Sequence, residues 1–465
     1  MSNQNTNGAA VSRNPATGET LATYTFQTPQ QIDRLLDDNT AARTLWRDTP
    51  MNERVATYHR LTTILRERQD ALAATITAEM GKTIDASRAE VRKCADTIDW
   101  VADNGPAILA DEPAPIDGDD TVYVSFLPIG TILAVMPWNF PLWQAIRAAG
   151  PIMLSGNGFL LKHAHTTMGS AFALQDAYEA AGFPKGLFAN LNVANDTVAQ
   201  VIEDPRIAAV TVTGSMRAGS AVASTAGKAL KKSLLELGGT DAFIVLADAD
   251  IERAVEVGIQ ARFQNAGQVC LAAKRFILEQ PIAEEFTRKF VEAARKVKAG
   301  DPLDPATTIG PMARGDLRDE LHDQVERTLG AGARLLLGGR KIDGIGNFYE
   351  PTVLADVQPG MAAFDEETFG PVAALTTARD TEHAIELANT SEYGLSGNIW
   401  TADIAAARQI ARRLETGGVF INGFSASNPR IPVGGVKKSG YGRELSHFGL
   451  REFTNPQVVW AKTHP

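Results

Sequence analysis

Residues 208–239 read AAVTVTGSMRAGSAVASTAGKALKKSLLELGG, and three patterns follow one another within them. Residues 208–212 form a short apolar run of strand length. Residues 216–226 carry small and apolar side chains at helical spacing, and residues 233–235 begin a second apolar run. Strand, glycine turn, helix and strand in this order make one parallel crossover unit. Working outward, strand-like runs recur at 130–136, 159–161 and 187–191, with helical stretches after Pro141 and over 167–181 and 196–202. Repeated this way, the units predict a doubly wound parallel sheet.

The alternation restarts after Gly238-Gly239 with a strand at 242–246 and a helix whose first amides Asp250 can cap. A second α/β unit is therefore expected. Upstream, residues 29–104 alternate apolar and charged positions at helical spacing, and Pro50 and Met80-Gly81-Lys82 divide them into three predicted helices. Residues 122–126 alternate like an exposed strand, and residues 456–460 form another short strand in the tail.

At 465 residues the chain is too long for one hydrophobic core. Its 44% hydrophobic and 22% charged content is that of an ordinary globular protein, and a net charge of -10 argues against a polyanion partner such as nucleic acid. No stretch stays apolar for the ~18 residues of a membrane helix, and the N-terminus has no signal-peptide core, so the expected location is cytoplasmic. Two cysteines, Cys94 and Cys270, exclude a disulfide framework. Cys94 lies in a helical run and reads as a buried, inert thiol. The seven histidines make no metal motif, and His163 and His165 lack a third ligand.

Chemistry concentrates in two glycine-marked segments. Phe263 to Cys270 reads FQNAGQVC, and Glu236 lies within LELGG a short way upstream. A thiolate attacks a carbonyl, and a carboxylate strips a proton from the water that releases the acyl group. If Pro141 opens a helix, Asn139, Trp143 and Arg147 are spaced by four along one face. A guanidinium in that line suits a substrate carboxylate. Pairing of Arg147 with an acid of the protein is the alternative.

Taken with Pro137-Trp138-Asn139-Phe140-Pro141, Gly214-Ser215-Met216-Arg217-Ala218-Gly219, residues 366–371 (EETFGP) and residues 433–440 (VGGVKKSG), these segments resemble the aldehyde dehydrogenase superfamily over nearly the whole chain. Within it, PWNFPLWQAIR, the KHA segment at Lys162 and a single cysteine in the catalytic loop are most similar to bacterial succinate-semialdehyde dehydrogenases. The resemblance implies two Rossmann-like domains, one for cofactor (1–120 and 128–238) and one for catalysis (239–428). It also implies an oligomerisation flap (121–127 and 429–465) that serves a homodimer or homotetramer.

It further implies Cys270 as nucleophile, Glu236 as base, and Asn139 with the Cys270 amide as oxyanion donors. The implied cofactor residues are Trp138, Lys162, His165, Gly214, Ser215, Gly219, Leu237, Glu367 and Phe369. NADP or NAD fits these, because His165 stands where strict NAD enzymes often carry glutamate. Trp143, Arg147, Phe424 and Ser427 are the implied substrate residues, with Arg262 and Arg430 as weaker candidates for the carboxylate. The expected reaction is NAD(P)-dependent oxidation of succinate semialdehyde to succinate through a Cys270 thioester. Glutarate semialdehyde, a neutral aliphatic or aromatic aldehyde, or a non-catalytic structural role on the same fold are the competing readings.

Overall fold

The computed structural model describes residues 8–116 and 120–462; the outermost ends of the expected units, 1–7 and 463–465, lie outside it. The stretch 208–239 folds as strand Ile207–Thr213, helix Met216–Lys228 and strand Lys232–Glu236. These belong to a six-stranded sheet ordered Gly440–Tyr441, Lys232–Glu236, Ile207–Thr213, Thr131–Met136, Gly158–His163 and Phe188–Asn190. All neighbours are parallel except the short edge strand Gly440–Tyr441. The chain enters at Thr131–Met136, winds outward to Phe188–Asn190, and then crosses back to Ile207–Thr213. Connections therefore diverge at the carboxyl ends of Thr131–Met136 and Ile207–Thr213, which opens a crevice there, the place where a doubly wound sheet binds ligands.

A seven-stranded sheet follows, ordered Arg334–Leu337, Thr352–Ala355, Val372–Ala378, Arg275–Glu279, Ala242–Val245, Gly397–Trp400 and Val419–Ile421. Only its first pair is antiparallel. Each sheet has apolar clusters of its own, as a chain of this length requires. Strand Thr454–Ala461 pairs antiparallel with Thr121–Pro128, which pairs in turn with Glu112–Pro113. The rest of the tail lies elsewhere: Gly440–Tyr441 extends the first sheet, and helix Ser446–Glu452 packs on helix Pro141–Leu154. No helix among the described residues is long and apolar enough to cross a membrane.

Four helices, not three, fill the region expected to be helical: Pro29–Asp48, Met51–Glu67, Gln69–Met80 and Ile84–Ile108. The extra break falls at Arg68, where no glycine or proline marks it. Gly81 ends the third helix at φ +86°, and a Cβ there would meet the rings of Pro15 and Pro311. An N-terminal hairpin, Ala9–Arg13 with Thr20–Thr25, was also not evident from the sequence pattern. Cys94 is fully buried on the fourth helix, and burial raises its thiol pKa well above the ordinary value.

The same helix fixes the start of Pro141–Leu154. Glu90 Oε1 accepts from the amides of Leu142 and Trp143 at 2.9 Å, and Oε2 accepts from Lys82 Nζ at 2.5 Å. A carboxylate at a helix N-terminus satisfies orphan amides and meets the positive end of the dipole. Glu90→Gln would strand the buried Lys82 ammonium, so the variant should lose about 3–5 kcal/mol of stability, seen as a lower thermal unfolding midpoint.

Candidate active site

Pro137 to Phe140 leave strand Thr131–Met136 and enter helix Pro141–Leu154, with Pro141 at its first position, where a missing N–H costs nothing. Asn139 therefore precedes the helix; Trp143 and Arg147 lie on it. Asn139 is buried and donates through Nδ2 to the Gln268 carbonyl at 3.0 Å, while Asn265 Nδ2 donates to the Asn139 carbonyl at 2.9 Å. One amide hydrogen of Asn139 remains available. The Cys270 backbone N–H makes no hydrogen bond among the described residues. These are the two donors expected for an oxyanion.

Cys270 sits beyond helix Ile251–Phe263, whose N-cap is Asp250 as expected. Asn265, Ala266 and Gly267 then take positive φ in succession, at 52°, 51° and 73°. Two non-glycine residues in that region store strain, which the surroundings must hold. Arg262 does much of this, because its guanidinium donates to the carbonyls of Gly267 at 3.1 Å, Ala273 at 3.3 Å, Thr368 at 3.2 Å and Gly370. A Cβ at Gly267 would fall 2.1 Å from the Gly370 oxygen, so only glycine fits. Arg262 is thus a backbone tether, not a substrate cation. Arg430 is exposed on the surface.

Lys274, which the sequence reading missed, holds the loop from the other side. Buried, it donates to the carbonyls of Val269 at 3.1 Å and Cys270 at 2.5 Å, and it lies 3.4 Å from Glu367 Oε1. That oxygen also accepts from the Gly239 amide at 3.1 Å. A Cβ on Gly238 would overlap the Glu367 carboxylate.

Glu236 ends its strand in register with Thr213 and is almost wholly buried. Burial pushes its pKa up to about 8, the Glu444 charge adds to the rise, and Arg147 opposes it. The Cys270 thiol is pushed up to about 11, first by burial; Arg147 and Lys274 pull it down and Glu236 and Glu367 push it up. Thiol and base thus lie in one field.

Arg147 has partners within the protein. It is buried, its Nε is ion-paired with Glu444, and Nη2 donates to Thr213 Oγ1 at 3.2 Å. The protein-acid alternative describes this side chain, because burying a guanidinium requires a counter-charge and Glu444 supplies it. Ser427 instead receives Lys93 Nζ at 2.6 Å, and that ammonium sits 4.0 Å from the Trp143 ring centroid. Phe424 packs against the core of the second sheet.

The crevice at the switch point continues into a cavity of about 390 Å³, lined by Val135, Lys162, Val198, Arg217, Ala218 and Val222 among others. Its apolar floor and cationic end suit a nucleotide. Ser215 caps helix Met216–Lys228, whose free amides face the turn Gly214-Ser215. A Cβ on Gly219 would press on the side chain of Leu237, which would have to move. Leu237 is buried against that glycine, with its amide bonded to the Ser439 carbonyl at 3.0 Å. Trp138 and Phe369 meet edge to face at 5.8 Å.

Lys162 is buried with neutral partners only, Asn195 Oδ1 at 3.0 Å, the His163 carbonyl at 3.1 Å and His165 Nε2 at 3.2 Å, and burial lowers its pKa to about 8. His165 Nε2 is also 3.0 Å from the Val193 carbonyl, and burial lowers its pKa. His165 is therefore a neutral neighbour of Lys162. His163 is buried with Nε2 at 2.9 Å from the Pro141 carbonyl. No group of three metal-ligating side chains occurs among the described residues.

Comparison with known proteins gives the family. The model of the aldehyde dehydrogenase family matches residues 2–459. The chain is 56% identical over 451 residues to the succinate semialdehyde dehydrogenase [NAD(P)+] of Escherichia coli, covering 97% of each. It is 45% identical to the succinate-semialdehyde dehydrogenase [NADP(+)] of Mycobacterium avium, covering 96% of this chain and 95% of that one. The crystal structure of succinic semialdehyde dehydrogenase from Streptococcus pyogenes in complex with NADP+ superposes with a TM-score of 0.95 at 38% identity, covering 97% and 99% of the two chains.

The shared field of Cys270 and Glu236 makes a kinetic prediction. Glu236→Gln should slow steady turnover by ~10²–10⁴-fold while still giving a burst near one reduced cofactor per site, measured by stopped-flow absorbance. Because only ionised Glu236 acts as a base, acyl release should rise with pH through about 8. In Glu444→Gln the like charge is gone and Arg147 is freed, so this limb should move to lower pH.

Proposed function

The chain belongs to the aldehyde dehydrogenase family, and from that premise we propose that it oxidises succinate semialdehyde to succinate with NADP or NAD. The observation that carries the reading is that partly buried Cys270 and buried Glu236 lie in one field beside two unspent N–H donors.

Each group has one task. Cys270 Sγ adds to the aldehyde carbon as the thiolate, its proton having passed to solvent before attack, so Glu236 enters the second step ionised. The oxygen becomes an alkoxide between the Asn139 side-chain amide and the Cys270 amide. When bound, the nicotinamide supplies the acceptor for the hydride that leaves as the alkoxide collapses. A thioester remains on Cys270. Glu236 takes a proton from water, hydroxide adds to the thioester, and the carboxylate product departs with the thiolate restored. Lys274 and Arg262 hold the loop carbonyls through both steps, so the sulfur keeps its place.

The cofactor would lie along the cavity, with its pyrophosphate at the turn Gly214-Ser215 and Glu367 toward the nicotinamide ribose. Glu367 must then exchange its Lys274 and Gly239 contacts for hydroxyls. No carboxylate accompanies Lys162, and Arg217 on the cavity rim makes no ion pair with a described residue. Two cations with no acid between them favour a 2'-phosphate. We also infer self-association along Thr454–Ala461, where Val458 and Trp460 are 60% and 56% exposed on a strand with one free edge.

Two measurements test these readings. Wild type should prefer succinate semialdehyde over butanal in kcat/KM; equal constants would move the substrate to the neutral aldehydes. Arg217→Ser should lower kcat/KM for NADP about tenfold and leave NAD nearly unchanged, the size of one charge-assisted contact to phosphate.

A further inference from the structure

Asp241 is a buried carboxylate that the reaction above does not use. Strands Ala242–Val245 and Gly397–Trp400 run parallel with Ala242 opposite Gly397, so the residues just before them, Asp241 and Ser396, lie side by side. The Ser396 amide donates to Asp241 Oδ1 at 3.2 Å, and the Ser396 hydroxyl donates to Oδ2. Ser396 Oγ is in turn 2.6 Å from Ser425 Oγ. Because the one hydroxyl hydrogen of Ser396 is spent on the carboxylate, Ser425 is the donor in that second bond, with Asn398 Oδ1 at 3.2 Å as its other acceptor. No cation lies within ion-pair distance of Asp241 among the described residues. Burial raises its pKa to about 6, and Lys274 and the two Ser396 bonds oppose the rise.

We propose that Asp241 is a positioning residue: through Ser396 and Ser425 it sets where the loop 422–430, which carries Phe424 and Ser427, stands relative to the thiol loop. The inference rests on the semialdehyde reading above, in which that loop faces the aldehyde. Asn422 leaves strand Val419–Ile421 at φ +51°, which turns the chain back along Gly397–Trp400. Past that turn, residues 424–428 belong to no helix or strand, and Ser425 is the only buried residue of 422–430. Its hydroxyl is therefore the loop's hold on the protein interior. Asp241 also holds the thiol loop, because its carbonyl accepts from the amides of Lys274 at 3.1 Å and Arg275 at 3.2 Å. One residue thus grips the segment leaving Cys270 by its backbone and the segment leading to Ser427 by its side chain. The two grips are close together: a Cβ on Gly239 would fall 2.8 Å from Asp241 Oδ1 and 3.5 Å from the Cys270 carbonyl. A buried carboxylate met only by a hydroxyl and an amide adds little net stability, since desolvation offsets most of what those bonds return. What it supplies is placement, because a charge-assisted hydrogen bond is short and strong.

The test joins hydrogen–deuterium exchange of the intact enzyme, read over residues 422–430, to steady-state kinetics in wild type, Asp241→Asn, Ser396→Ala, Ser425→Ala and the double variant Ser396→Ala/Ser425→Ala. Exchange over the loop should rise about tenfold in Ser425→Ala and Asp241→Asn, the restraint of one hydrogen bond, while strand Arg275–Glu279 exchanges as in wild type. KM for succinate semialdehyde should rise about tenfold with a fall in kcat of less than about threefold. Because the two serines act in series, the double variant should match Ser425→Ala instead of multiplying the single effects. Ser425→Thr keeps the hydroxyl and should restore most of the lost KM. Wild-type exchange over the loop in Ser425→Ala, multiplied effects in the double variant, or a loss confined to kcat would each overturn the proposal. A wild-type kcat/KM for succinate semialdehyde no higher than for butanal would instead overturn the substrate reading, and the exchange result would still decide whether Asp241 places the loop.

Discussion

The buried ion pair between Arg147 and Glu444 is the interaction around which the site is arranged. It joins helix Pro141–Leu154 to the segment before helix Ser446–Glu452, where Leu445 and Ser446 take positive φ to bring the carboxylate inward. Such a pair adds little to stability, because desolvation consumes most of its Coulombic gain. Its value lies in the field it sets. Glu444 raises the pKa of Glu236, Arg147 lowers it, and Arg147 also pulls the Cys270 thiol down. Without the arginine, three acidic groups would share one dry pocket. Without Glu444, Glu236 would be held ionised by Arg147 and would be a weaker base.

Position comes from topology and charge from side chains. The first sheet reverses its winding beside Thr131–Met136, which places Pro137 to Asn139 and Gly214-Ser215 on the two banks of one crevice. The second sheet delivers Cys270 from a loop too strained to persist unaided. Arg262 and Lys274 hold it with donors to carbonyls on both flanks, and Arg262 extends the grip to Gly370. Rigidity matters because an attacking sulfur displaced by about 1 Å can lose ~10²-fold in rate.

Most of the fold was legible because strands and helices obey local periods. The strand at 208–212 and its helix emerged within two residues of their structural bounds. The break at Arg68 was hidden because a helix can end without glycine or proline. The hairpin Ala9–Arg13 with Thr20–Thr25 has a polar outer face and little apolar signal. In the site, Cys270 and Glu236 stood out because glycine-marked motifs surround them, and Asn139 because two prolines bracket it. Arg147 was named but its partner was not, since Glu444 lies almost 300 positions away and no spacing rule reaches that far. Lys93 and Ser427 are 334 residues apart. Lys93 reads in sequence as one more charge on an amphipathic helix, and only the packing shows that it has no acid beside it.

Charge in the pocket also constrains what it can oxidise. A carboxylate brought unpaired near Cys270 would raise a thiol pKa that already stands at about 11 and would oppose ionisation of Glu236. An enzyme for a semialdehyde must therefore cancel that charge close to where it enters. Glu444 and Thr213 engage Nε and Nη2 of Arg147, which leaves Nη1 without a partner among the described residues and able to meet that charge while Glu444 keeps its place.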